Sequence, residues 1–214
     1  MTLRHRTTRC AATLGLLLAT SALTVPQAMA ADTQVPTGSV TGTTVEPLGK
    51  LGPLASLIIE RLQVSDDVAA SKFGTDSPIE DPAREQQVLD SVREQAEAAG
   101  IDADAAVAFF RDQITASKIV QQGLFDRWTA HPEQAPTTRP DLGEIRTRLD
   151  QLTTALLAEL KNTEHVRDEP VACRVQLALA GVSGAVVEHL DALHRQAFRA
   201  ATGSVCRSAE PAGR

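Results

Sequence analysis

The chain has 214 residues, 43% of them apolar, and a formal charge of −6 from 21 Lys and Arg against 27 Asp and Glu. A net acidic chain of this kind excludes a general nucleic-acid or anionic-membrane partner, because both need a positive field. An anionic ligand would therefore need a local pocket of positive charge.

Residues 1–30 read as a secretory signal peptide. "MTLRHRTTRC" carries Arg4, Arg6 and Arg9 with no acid, "AATLGLLLATSALTV" is an uncharged apolar run, and "AMA" at Ala28 to Ala30 supplies small residues for cleavage after Ala30. A membrane anchor is the alternative, but the run falls short of the ~20 residues that cross a bilayer. Cleavage leaves a secreted protein, periplasmic or extracellular, with no membrane partner. It also removes three arginines and no acids, so the mature charge becomes −9. Residues 31–50, "ADTQVPTGSVTGTTVEPLGK", are rich in Thr, Gly and Pro without helical period and read as a flexible leader.

Helical periodicity dominates residues 51–207, read as one domain followed by a tail at 208–214. A first helix is predicted from about Leu51 to Phe73, with Leu54, Leu57, Ile58, Leu62 and Val68 near a 3.6-residue period and Gly74 placed to end it. A second helix has two candidate starts. "SPIE" forms a capping box at Ser77, Pro78 and Glu80, while Asp81 before Pro82 is the other start; Gly100 stops the helix. The third opens at Asp102 and carries Val107, Phe110, Ile114 and Ile119 on one broad face. After a loop from Pro132 to Pro140, Leu142, Ile145, Leu149, Leu152, Leu156 and Leu160 step by three or four, as in a helix packed in a bundle. A last pair is expected over about Val171 to Leu179 and Ser183 to Arg207. The fold class is therefore all-α, a single multi-helix domain of about six helices.

Cys10 leaves with the signal, and Cys173 with Cys206 remains. An even pair in an oxidising compartment reads as a disulfide in the C-terminal part. Two buried free thiols, or half of a metal site, are the alternatives. No His/Cys cluster at zinc spacing supports the metal, and none is expected.

Several charged or polar positions do not look like plain surface. Arg61 and Lys72 are eleven residues apart on one predicted helix, close to three turns, which puts them on nearly the same side about 16 Å apart. Ser117 and Gln121 are at i and i+4 on the third helix and share a face. Lys72 and Arg84 flank a turn crowded with carboxylates, and Arg146 adjoins the apolar seam of the fourth helix. Taken singly, each has a plain reading as a solvated charge, and Arg84 could pair with Asp81 or Glu80 one turn back.

The order "ERL", "AASKF", "PIEDPARE", "ITASKIVQQ" and then "DLGEIR" resembles the all-helical chorismate mutases, most closely their exported, disulfide-containing subclass. The resemblance covers about Leu51 to Cys206. It implies an isomerase that rearranges chorismate to prephenate, in the shikimate pathway to Phe and Tyr, without a cofactor. On this resemblance Arg61, Arg84 and Arg146 bind the two substrate carboxylates, and Lys72 reaches the breaking ether oxygen and a carboxylate. Gln121 is the second group at that oxygen, and Ser117 lies near a carboxylate. Asp81 and Glu85 hold the substrate hydroxyl and orient the neighbouring arginine. Either Gln87 or Val88 fills a position that is polar in some relatives. The subclass also implies that each chain builds its own pocket and that the chain forms a homodimer. The competing reading is an exported helical module that binds a small dicarboxylate without turning it over; catalysis itself discriminates the two.

Overall fold

The computed structural model describes residues 46–206. The expected signal peptide with its cleavage site, residues 31–45 of the leader and the tail lie outside the described residues. Within them the chain forms seven α-helices and no strand: α1 Gly52–Lys72, α2 Pro82–Ala99, α3 Ala103–Ala130, α4 Leu142–Asn162, α5 Glu164–Arg167, α6 Pro170–Val187 and α7 Ala192–Ala201. A 3-10 turn at Pro132–Gln134 lies in the loop before α4. The all-α class holds, and the count rises above the expected six because the four-residue α5 follows α4 directly.

The core forms where α1 and α3 face each other. Leu54, Ile58 and Leu62 of α1 and Phe109, Phe110 and Val120 of α3 are fully buried there, joined by Leu156 and Leu160 of α4. α1 also packs against α4 and α6, and α3 against α2 and α7. α2 and α4 barely touch, so the space between them stays open.

The start of α2 settles which of the two caps is used. Ser77 does not cap it; Asp81 does, its Oδ1 accepting the Arg84 backbone N–H at 3.0 Å, with Pro82 in the first turn. The reason is local. In a helix begun at Pro78, the Pro78 carbonyl would look to the nitrogen of Pro82, which carries no hydrogen. That carbonyl is taken instead by Lys72 Nζ at 2.9 Å, and the Ile79 carbonyl by the same ammonium at 3.3 Å. At the other end Gly100 adopts φ +65° and closes α2, while Asp102 and Asp141 cap α3 and α4 through their carboxylates.

The C-terminal helices depart from expectation. α6 runs straight through the region where a break was expected between Leu179 and Ser183, and the chain turns at Glu188 to Asp191, with His189 at φ +50°. Gly181 and Gly184 are close-packing positions in that helix rather than breakers. A Cβ at Gly181 would lie 2.9 Å from Phe198 Cε1, and one at Gly184 2.7 Å from Ile59 Cδ1. The end of the leader is also ordered, against the expectation of flexibility through Lys50. The backbone N–H of Leu48 donates to Ser183 Oγ at 2.8 Å and that of Lys50 to Gln176 Oε1 at 2.7 Å, and Pro47 is buried. Residues 46–50 thus form a strap across α6.

Two devices tie α7 to the rest. Cys173 and Cys206 form the disulfide, with Cα atoms 5.6 Å apart, which removes the free-thiol and metal alternatives. His194 lies between two carboxylates, 3.0 Å from Asp66 Oδ1 on α1 and 2.8 Å from Asp191 Oδ1. The hydrogen bond to Asp66, joined by Asp191 and opposed by burial, raises its pKa to about 9, so the imidazolium donates to both at neutral pH.

Closing the loop of 33 residues should contribute about 3–4 kcal/mol by the chain-entropy estimate. The double variant Cys173→Ala/Cys206→Ala is expected to keep its helical circular dichroism at room temperature but to lose that amount in urea unfolding. An unchanged midpoint would show that the contacts of α6 and α7 alone hold the C-terminal part.

Candidate active site

All eight ligand positions expected from the sequence line one cavity of about 200 Å3. α1 supplies Arg61 and Lys72, the start of α2 supplies Asp81, Arg84 and Glu85, α3 supplies Ser117 and Gln121, and α4 supplies Arg146. The eleven-residue spacing on α1 and the four-residue spacing on α3 do place each pair on the cavity side. Val88 also lines the cavity, whereas Gln87 is exposed outside it and accepts from Arg84 Nη1 at 3.4 Å.

Arg61 is only 8% exposed. Its Nη1 donates to the Leu149 carbonyl at 3.4 Å, its Nε has no hydrogen-bond partner, and its guanidinium lies 5.8 Å from the centre of the Phe110 ring. Burial pulls its pKa down to about 10, with the Asp150 carboxylate working against the shift. The side chain therefore remains a cation at neutral pH. A buried charge with an idle donor carries an unrecovered desolvation cost that an incoming anion can offset.

Lys72 is half-buried, and burial lowers its pKa from the usual lysine value while Asp81 and Glu85 oppose the shift and Arg146 adds to it. Two of its three N–H groups serve the Pro78 and Ile79 carbonyls, which leaves one for the cavity. The same loop carbonyls that stay out of α2 therefore fix the direction of this ammonium. Arg84 and Arg146 sit at the exposed rim.

Gln121 is buried, its Nε2 donating to Ser117 Oγ at 3.1 Å and Ser117 O at 3.3 Å, and its Oε1 has no partner. A half-turn of the amide exchanges these roles. Oε1 then accepts from the Ser117 hydroxyl and the two N–H donors are released.

Two charged lining residues were not singled out in the sequence, Lys118 of α3 and Asp150 of α4. Lys118 Nζ contacts both carboxylate oxygens of Glu85, at 3.3 and 3.2 Å. Glu85 thus faces a lysine across the helix pair rather than its neighbouring arginine. No spacing within the chain records this contact, because it depends on how α2 crosses α3. With these two included, the lining carries five cations (Arg61, Lys72, Arg84, Lys118 and Arg146) against three carboxylates (Asp81, Glu85 and Asp150), a net charge of +2. That local sign opposes the −6 of the whole chain.

The sequence pattern of the family chorismate mutase type II matches residues 53–122, the stretch that carries every expected ligand position except Arg146. The chain is 37% identical over 164 residues to a secreted chorismate mutase of Mycolicibacterium smegmatis, an alignment spanning 77% of this chain and 90% of that protein. The chain belongs to the secreted chorismate mutases. A second member, the secreted chorismate mutase of Mycobacterium tuberculosis, is 34% identical over 163 residues, 76% of this chain and 81% of that protein. Among solved structures, the chorismate mutase of Burkholderia phymatum superposes with a TM-score of 0.70 at 34% identity, covering 74% of this chain and 97% of that one. As a chorismate mutase, the protein is an isomerase, and the cavity between α1, α2, α3 and α4 is its candidate active site.

Proposed function

We propose that this cavity converts chorismate to prephenate by clamping a flexible dianion in its reactive conformation and stabilising charge at the ether oxygen. One carbon–oxygen bond breaks as one carbon–carbon bond forms within a single molecule, so the chemistry itself asks for no nucleophile, general base or redox partner. The observation that carries the reading is the net charge of +2 in a cavity whose deepest cation, Arg61, is buried with an idle donor. Such a site suits a ligand with two carboxylates and disfavours a neutral or cationic one.

In this reading Arg61, Arg84 and Arg146 bind the carboxylates, with planar guanidinium forks matched to carboxylate geometry. Holding both ends selects the folded conformer in which the reacting carbons meet. Lys72 directs its remaining N–H at the ether oxygen, where negative charge grows as the bond stretches, so it binds the transition state more strongly than the ground state. Gln121 donates to the same oxygen with its amide turned so that Ser117 takes Oε1. Asp81 orients Arg84 through the helix cap, and Glu85 accepts from the substrate hydroxyl. The product would enter the branch of the shikimate pathway toward Phe and Tyr.

We also assign the outer face of α6 to a second copy of the chain. This helix has a mean hydropathy of 1.5, yet 17% of its residues are buried. Val175, Leu179, Val182 and Val186 are between 42% and 70% exposed. Their steps of four, three and four are the seam spacing of paired helices. The spacing is symmetric about the bond between Ala180 and Gly181, so an antiparallel two-fold pairs Val175 with the partner's Val186 and Leu179 with the partner's Val182. Arg174 at one end of the seam would then approach the partner's Glu188. All eight ligand positions come from one chain, so each copy would keep its own pocket.

Three outcomes test these assignments. A purified domain from residue 31 onward should turn chorismate into prephenate, and Lys72→Ala should lose about a thousandfold in kcat/KM, the equivalent of about 4 kcal/mol for one close charge at an effective dielectric of 20. A folded protein that binds dicarboxylates but leaves chorismate intact would replace the enzyme by a binding module. The wild-type rate should be nearly flat across neutral pH, whereas Gln121→Glu should gain activity as pH falls toward the carboxyl range of about 4–5, since only a protonated glutamic acid can donate; an unmoved profile would take Gln121 off the ether oxygen. In sedimentation velocity the wild type should run as a dimer and Val182→Glu/Val186→Glu as a monomer with unaltered kcat. A wild type that stays monomeric at its highest soluble concentration removes the second copy from α6.

A further inference from the structure

Among the described residues, Lys118 is the one cation of the cavity that forms a salt bridge with a lining carboxylate. Its Nζ lies 3.3 Å from Glu85 Oε1 and 3.2 Å from Oε2, with Glu80 Oε1 farther off at 3.8 Å. Both members of the main pair are largely screened from water, with side chains 28% and 27% exposed. An ammonium shared by both oxygens holds the carboxylate head in place, and partial burial spares the pair much of the screening that weakens surface ion pairs.

Its position in the fold gives the pair leverage. Glu85 is in the first turn of α2, one residue after Arg84 and four after Asp81. α2 leans on α3 and barely contacts α4, and its first turn follows a loop that is exposed from Gly74 to Pro78. Val88 and Leu89 begin the apolar contact with α3 only a turn further on. Ahead of that contact, Lys118 is what ties the segment carrying three ligand positions to the wall carrying Ser117 and Gln121.

We propose that Lys118 is a positioning residue: it holds the Glu85 carboxylate and the first turn of α2 against α3, setting where Arg84 and Glu85 meet the substrate without touching the substrate itself. This rests on the chorismate reading and deepens it. The alternative, that Lys118 acts on the substrate dianion through its own charge, predicts a different dependence on Glu85.

A double-mutant cycle separates the two, with kcat and KM for chorismate measured on Lys118→Met, Glu85→Gln and the combination. Lys118→Met should lower kcat/KM roughly tenfold, within the range of coupled neighbours. In the Glu85→Gln background the same change should cost almost nothing further. Lys118→Arg, which keeps a cation within reach of Glu85, should recover most of the loss. Equal losses in both backgrounds, or no loss in Lys118→Met, would overturn the proposal. Hydrogen exchange in the ligand-free protein gives a second reading, because amides at residues 84–88 should exchange faster in Lys118→Met and not in Lys118→Arg. Faster exchange in a protein that leaves chorismate unconverted would retain the tie and discard the reaction, whereas unchanged exchange discards the tie whatever the turnover.

Discussion

The guanidinium of Arg61 is taken out of water by the same packing of α1 on α3 that builds the core, and the rest of the cavity is arranged around that charge. Removing an arginine from solvent without full pairing costs several kcal/mol, and the Leu149 carbonyl, the Phe110 ring and the Asp150 carboxylate recover only part of it. Full neutralisation by protein carboxylates would remove the net attraction for a dianion, while none would leave five cations to repel one another. Three carboxylates among five cations is the intermediate case, and the remaining +2 is what an anionic ligand would neutralise.

Local chain chemistry is coupled to this electrostatic arrangement at one place in particular. Pro82 cannot donate to the Pro78 carbonyl, so α2 starts at Asp81 and the loop before it keeps two carbonyls free. Lys72, at the last position of α1, takes both. The proline that breaks one hydrogen bond thus determines where the ammonium points. Asp81 in turn caps α2 at the Arg84 backbone, so the orientation of a rim cation follows from the same start.

Much of this was legible in the amino-acid sequence. The 3.6-residue period revealed the long helices, the spacings of Arg61 with Lys72 and of Ser117 with Gln121 put each pair on one face, and the two cysteines did pair. What local pattern could not show was what crosses between elements. A break was expected between Leu179 and Ser183, whereas Gly181 there and Gly184 just beyond lie inside α6, packed against Phe198 and Ile59 from helices far away in the chain. Ser77 and Asp81 were both sound caps, and Pro82, which cannot donate to the Pro78 carbonyl, decides between them. What the local pattern did not show is that Lys72 takes the carbonyl left over. Lys118 sits one position from Ser117, about 100° round the helix, and its partner is on α2. Residues 46–50 have the composition of a free leader and are ordered by contacts made far along the chain, the bonds to Ser183 and Gln176 and the packing of Pro47 beside Gly184.

The strap and the disulfide give the two ends of the domain a common property that bears on how a secreted chain reaches its native state. The acceptors of the strap lie 135 and 126 residues downstream of it, and Cys206 follows every helix among the described residues. Contacts of such long sequence separation form late, because the loop they close must be ordered first. A chain that crosses a membrane from its N-terminus delivers α1 to α4, and with them every wall of the cavity, before α6 arrives to cover Ile59 and receive the strap. Cys206 is delivered after all of these, so the covalent bond with Cys173 can close only once α1 to α7 are available to it.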